Sequence, residues 1–402
     1  MWQSPGARRL ASRVAGWMTG ALAYAATDAG AGEFPITAFS SSLSTLPEYV
    51  DEEALLFQFP QRAGVTNTRL FAFGLGSREA LGVAGNWGSH GFFLLSQQGT
   101  LFGSSLLQGG WGASWRGLRL GVAGRAARTH DEAGSLYTSQ DPFYGNQLTV
   151  DFDGTERTLW EGSFGLGLGG KNAEVDLAVD VTSIQAELTY LHLDYGRPPA
   201  DTTLVHLEST EDLGLGGVAR LRWHLGGGVE VVGAGSWHRV EDNYDGLEYI
   251  ASRLSTVLLE HELESWFAGL SVSFPAGRID WIAFTAHWQH LEDGQRNSSA
   301  RNQSTVTDED GILSVALRQQ LWQDLWGQAG VEIGYSQLER HETRLSSDGQ
   351  SLQERVSTSS TLSENFAWGV SYVWRNVDLR AAVRETLPIS NLFFALDFTV
   401  HP

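Results

Sequence analysis

From Gly226 to Pro402, apolar side chains recur at every second position. In Val229-Glu-Val-Val-Gly-Ala-Gly-Ser-Trp237, Val229, Val231, Gly233, Gly235 and Trp237 fall on one face. Glu230, Val232, Ala234, Ser236 and, continuing, His238 fall on the other. A period of two is that of an extended chain. Soluble sheets are built from strands of about five or six residues. A tilted strand that crosses a bilayer needs about nine to eleven, and the runs here are at least that long.

The same alternation extends upstream to Thr68. Segments at 70–76, 81–87, 91–95, 105–116 and 118–127 read as strands. Apolar rows then follow at Trp160, Phe164, Leu166 and Leu168, and at Ala173, Val175, Leu177, Val179 and Val181. After these the apolar parity switches to Ile184, Ala186, Leu188 and Tyr190, so a bulge near Thr182-Ser183 or a strand end is expected there. Short turns fall at 226–228, 275–277, 323–324 and 375–376. Long polar connections at 129–156, 194–205, 239–255, 291–309 and 339–360 read as loops. Short turns on one rim and long loops on the other belong to a transmembrane antiparallel up-and-down β-barrel. The expected fold class is therefore all-β, with about sixteen strands, or fourteen as the next count. Tryptophans near strand ends (Trp223, Trp237, Trp266, Trp281, Trp288, Trp322, Trp326 and Trp374) suit interfacial girdles, because the ring is apolar and its N–H wants water.

Residues 1–25 read as a signal peptide: Arg8, Arg9 and Arg13 precede an apolar stretch, and Ala21-Leu-Ala23 and Ala23-Tyr-Ala25 offer small-residue cleavage sites. Residues 26–66 form an N-terminal periplasmic or plug segment. Within it Ser44-Thr45-Leu46-Pro47-Glu48 resembles a helix start, and a helix over Glu48–Phe59 would end at Pro60. The barrel is expected over 67–402.

Composition removes other classes. The formal net charge of −20 opposes nucleic acid, whose backbone needs a basic footprint. The absence of cysteine excludes disulfides and thiolate metal sites. No apolar run reaches the eighteen or so residues of a spanning helix. The slightly negative mean hydropathy is compatible with a barrel, where only alternate residues meet lipid.

With this hairpin rhythm and the alternating end Leu392-Phe-Phe-Ala-Leu-Asp-Phe-Thr-Val400, the chain resembles bacterial outer-membrane barrels of the porin or FadL/PorV-like kind. Asp51-Glu-Glu-Ala54 through Phe59-Pro60 is similar to the Asp…Ala…Asn-Pro leader of FadL-like proteins, with Phe59 in place of the Asn. His401-Pro402 follow the last apolar residue, where such barrels usually end on an aromatic. The resemblance implies an outer-membrane location, with lipid, lipopolysaccharide and the barrel assembly machinery as partners. It also implies passage or import of small molecules. The alternative is a non-conducting structural or surface-binding barrel with a plugged lumen.

Charges fall opposite the apolar rows. Arg119, Arg125, Arg220, Arg222, Arg318, Arg380 and Arg384 lie there with Glu161, Glu174, Asp176, Glu230, Glu332 and Asp378. A charge facing lipid costs about 2–4 kcal/mol at the bilayer midplane, so these side chains are expected to face the lumen. Either they neutralise one another, or the arginines form a ladder that steers anions. Asp308-Glu309-Asp310 lacks the converging oxygens of a calcium site. Ser236 and His238 share a face with no group evident to orient the His, and no GxSxG, HExxH or phosphate loop is present. No enzyme, metal or cofactor is expected.

Overall fold

The computed structural model describes residues 56–400, apart from 57, 67–68, 76–78, 99–104, 142–144, 195–200, 251–252, 278, 298–301, 346–351, 376 and 388–390. The expected signal peptide, and segment 26–66 up to residue 55, lie outside the described residues.

Sixteen strands close into one antiparallel barrel in which each pairs with its sequence neighbours and the last pairs with the first. They are β1 (Arg69–Leu75), β2 (Glu79–Trp87), β3 (His90–Gln98) and β4 (Ser105–Trp115). Next come β5 (Leu118–Asp141), β6 (Gly145–Gly169), β7 (Ala173–Asp194) and β8 (Asp201–His224). Then follow β9 (Glu230–Ile250), β10 (Arg253–Ala276), β11 (Ile279–Asn297) and β12 (Asn302–Trp322). The chain ends with β13 (Leu325–Leu345), β14 (Leu352–Trp374), β15 (Val377–Leu387) and β16 (Asn391–Val400). Closure removes the two unpaired edges that an open sheet would present, and it satisfies the backbone where no water is available.

The outward face carries the expected rows, among them Leu177, Val179, Leu270, Phe284, Val315, Val331 and Trp368, all exposed. Trp87, Trp115, Trp223 and Trp374 stand exposed at the short-turn rim. Above the apolar band, Trp237 and Trp266 pair directly across β9 and β10, with Trp288 nearby on β11. Two aromatic levels with apolar surface between them form the profile of a membrane-crossing barrel.

The polar connections are a correction. Residues 129–141 continue β5 and 145–156 begin β6, paired in register from Thr129↔Arg157 to Asp141↔Gly145. Most of 239–255, 291–309 and 339–360 is likewise strand. Beyond the membrane no face needs to be apolar, so the alternation ends while the hydrogen-bonded ladder continues. The wall is consequently uneven. β5–β14 run 19 to 25 residues, whereas the six adjacent strands β15, β16 and β1–β4 run 7 to 11.

The expected bulge exists, but it belongs to β8. Between the pairs Thr182↔Gly214 and Glu187↔Glu208, residues 183–186 of β7 face 209–213 of β8, four against five. On its other side β8 slips at the same place, between Ser209↔Tyr244 and Glu211↔Asn243. A slip shared by both neighbours places the extra residue in β8 itself, at Thr210. The facing of β8 reverses there: Gly214, Gly216 and Arg220 are buried below it, and Val205 and Leu207 above it. β7 keeps its facing throughout, with Asp176, Ala178, Thr182, Ile184 and Ala186 all buried on the lumen side. The parity switch in the sequence is thus a change in which face is apolar.

Leu56 and Gln58 are helical and Phe59 is not, so the helix ends before Pro60 as expected, its earlier residues lying outside those described. Pro60 then opens a short 3-10 helix, Pro60–Gly64, whose five residues are all buried. This plug turn packs inside the barrel against β2–β6.

Candidate functional site

Four lumen-facing glycines stand in one cross-strand row. Gly91 pairs with Gly112, Gly112 with Gly121, and Gly121 with Gly165. The row lies only a few residues from the short-turn rim, and the plug turn rests on it. A Cβ at Gly91 would sit 1.7 Å from the Ala63 carbonyl oxygen. One at Gly121 would sit 2.2 Å from the Gln61 nitrogen, and one at Gly112 2.6 Å from the Pro60 oxygen. Backbone cannot yield at such distances, so the glycines shape a seat that side chains would fill. Leu56 and Ala63 add an apolar patch against Ala84, Phe93 and Leu95, while Phe59 packs on Ala178.

Polar contacts lock the seat. Arg62 Nε donates to Asp176 Oδ2 at 3.0 Å, and Arg62 Nη2 donates to Glu174 Oε2 at 2.6 Å. Gln61 Nε2 lies 3.2 Å from the Leu166 carbonyl oxygen and 3.2 Å from Asp176 Oδ1. Ser114 Oγ donates to the Gly64 carbonyl at 3.3 Å. Asp176 is 0% exposed and also meets wall arginines: Arg119 Nη2 donates to its Oδ1 at 3.2 Å, and Arg220 Nη1 lies 3.7 Å from its Oδ2.

The charges are arranged as rungs across the wall. Arg119, Gly167, Asp176 and Arg220 are successive register partners on β5–β8. A Cβ at Gly167 would meet Asp176 Oδ1 at 2.7 Å and Arg119 Nε at 2.8 Å, so this glycine leaves the gap through which the ions join. The same device recurs higher up. Gly216 lies between Asp180 and His238, whose Oδ2 and Nδ1 are 3.4 Å apart, and a Cβ there would meet each at 2.2 Å.

Of the expected lumen residues, Arg125 pairs with Glu161 at 2.5 Å, directly across from it in register. Arg222 and His224 both reach Glu230, at 2.8 and 2.9 Å. Glu332 is buried and accepts a bond of 2.6 Å from Asn365 Nδ2. Arg318 lies 5.2 Å from the Trp326 ring centroid. Arg380 and Arg384 take register positions opposite Ser371 and Ala367; their side chains, like that of Asp378, lie outside those described. Asp308, Glu309 and Asp310 belong to β12, and Ser336 Oγ donates to Asp308 at 3.2 Å. Ser236 and His238 share the lumen side, and Asp180 is the partner of His238.

Sequence reading missed Gln61, Arg62 and the inward apolar residues of the outer lumen. At the level of the bulge and above it, Ile184, Ala186, Val205, Leu207, Leu259 and Leu263 are all buried on the inner face of β7, β8 and β10, with the polar Asp242, His261, Asp293 and Gln295 buried on β9, β10 and β11 beside them. The signal for the plug was the short interval Phe59-Pro-Gln-Arg62 set against the inward glycines, which becomes visible only once strand register aligns the glycines.

No protein-family model matches the chain, and no curated protein matches it. Solved structures do. A Pseudomonas aeruginosa FadL homologue is 11% identical with a TM-score of 0.46, covering 91% of this chain and 98% of its own. The TodX monoaromatic hydrocarbon channel, as its deltaS2 mutant, is 11% identical with a TM-score of 0.45, over 92% of this chain and 100% of its own. The Ralstonia pickettii toluene transporter TbuX is 11% identical with a TM-score of 0.39, over 87% and 93%. The fold assignment rests on the strand pairing.

Proposed function

We propose that this protein is a bacterial outer-membrane transporter, exported by a leader over residues 1–25, which takes up small hydrophobic molecules through a lumen gated by the plug turn. The apolar side chains of the upper lumen carry the reading. Water-filled pores present polar interiors, whereas Ile184, Val205, Leu207, Leu259 and Leu263 face inward here, interleaved with the buried Asp242, His261, Asp293 and Gln295. Such a surface favours an apolar solute by about 25 cal/mol per Å² of contact. At the inner end the plug turn occupies the glycine seat, so passage requires it to move. The contacts are suited to release: when Arg62 leaves, Asp176 keeps Arg119 and Arg220 as counter-ions.

Conductance and binding test the two halves separately. In planar bilayers the full chain is expected to show no steady open steps, and Arg62→Ala to show them. Large steady steps from the unaltered protein would return the reading to an open porin. Binding of a fluorescent apolar probe is expected to fall with Leu207→Asp or Leu263→Asp; an unchanged affinity in both would remove the hydrophobic substrate class.

A further inference from the structure

Among the described residues only two that are not glycine adopt a positive φ, Arg116 at 51° and Arg375 at 53°. Both occupy the same kind of place. Each directly follows the tryptophan that ends a strand, Trp115 of β4 and Trp374 of β14, on the short-turn rim. Each lays its guanidinium over that tryptophan, 5.1 Å from the Trp115 ring centroid and 5.3 Å from that of Trp374. A tight hairpin with positive φ is ordinarily given Gly, Asn or Asp. Other short turns of this barrel obey that rule, with Gly88, Gly227, Gly228 and Gly277 in the positive-φ positions. An arginine held there against its backbone preference points to a role for the side chain.

The surroundings identify the ligand. Trp115 and Trp374 are outward and exposed, at the lower aromatic level where the band meets lipid headgroups. The cation–π contact holds each guanidinium at its ring, and a guanidinium offers a planar fork of donors that matches phosphate oxygens. Both turns also stand at the limits of the low wall, the first between short β4 and long β5, the second between long β14 and short β15.

We propose that Arg116 with Trp115 and Arg375 with Trp374 are two binding sites for the phosphate of an anionic phospholipid headgroup, one at each corner of the low six-strand sector. The lipid leaflet facing the short-turn rim supplies the ligand. The ring takes the glycerol and upper acyl region while the guanidinium takes the phosphate. This assignment needs only the membrane-crossing barrel and is independent of the transported substrate.

The test is native mass spectrometry of the refolded full chain released from micelles containing phosphatidylglycerol or phosphatidylcholine. Two retained phosphatidylglycerol molecules are expected, bound about tenfold or more tightly than phosphatidylcholine, as a charge-assisted pair implies. Arg116→Asn and Arg375→Asn keep a residue that tolerates positive φ, and each is expected to lose one lipid. The double variant is expected to lose both while retaining the heat-modifiable mobility of a folded barrel. Arg116→Lys, which keeps the charge, reports on the first site should the Asn variant fold poorly, and it is expected to bind more weakly than arginine. Arg355→Asn, on the outer part of β14, removes one charge elsewhere and is expected to change nothing. Equal retention in the double variant, or equal retention of the two lipids by the unaltered chain, overturns the proposal. Displacement by millimolar inorganic phosphate would reassign the sites to free phosphate and overturn the lipid assignment.

Discussion

Asp176 shows how much one side chain can organise. It is fully buried and faces Arg62 from the plug, Arg119 from β5 and Arg220 from β8. Removing it leaves the three cations with Glu174, 2.6 Å from Arg62 and 3.8 Å from Arg119, and breaking a buried pair costs about 3–5 kcal/mol. Asp176→Asn is therefore expected to lower the urea midpoint of unfolding sharply. Arg62→Ala leaves the carboxylate two partners and is expected to cost about 1–3 kcal/mol, the price of a lost charged hydrogen bond, while opening the lumen. A reversed order of the two midpoints would show that the plug, not the wall, is the cation on which Asp176 depends. Gly121 tests the seat by shape alone. Gly121→Val puts a side chain where the Gln61 backbone lies, and the barrel is expected to fold with its plug displaced. Trypsin cleavage after Arg62, blocked in the parent, would register the displacement.

At the scale of the element, β8 is the strand that decides what the outer lumen is made of. Its bulge at Thr210 turns Val205 and Leu207 inward, since a shift of one residue exchanges the faces of a strand. Deleting Thr210 is expected to expose them. The natural chain lacks cysteine, so Leu207→Cys gives a clean reporter. Leu207 is 2% exposed, and the cysteine is expected to resist a soluble maleimide in the bulged chain and react in the deleted one. Protection in both would mean that the bulge does not set the facing. The element also shows where sequence reading stopped short. The parity switch at Ile184 and Ala186 is legible in the sequence, but placing the bulge required both neighbours of β8, and pairing is a property of three strands.

The whole barrel is roughly two structures stacked. Its lower part crosses the membrane on all sixteen strands; its upper part is a wall of ten strands extended beyond the lipid. The upper part turns Val205 and Leu207 inward, and the plug turn packs in the lower part against β2–β6. Removing the distal β5–β6 hairpin from Ser135 to Val150 and joining the arms with a short turn is expected to leave folding intact, because the membrane-level register from Leu118↔Leu168 to Arg125↔Glu161 remains. Retained resistance to SDS at room temperature would confirm that assembly depends on the lower tier, and its loss would show that the extension contributes to closure.

Alternation of apolar and polar residues determined by itself that the chain is a barrel with short turns on one rim, because lipid imposes that pattern on every crossing strand. It also determined which way Arg119, Arg125, Arg220 and Arg222 face, because a charge in hydrocarbon is too costly. Only the tertiary structure decided what those charges do. Gly91, Gly112, Gly121 and Gly165 are scattered over 75 positions of sequence, and become a seat when four strands align them. The partner of Asp176 on the plug lies 114 positions away. Above the membrane the alternation ceases to be imposed, so apart from the run Ile184 to Tyr190 the extensions of β5–β14 carried little periodic signal, and backbone pairing made them strands.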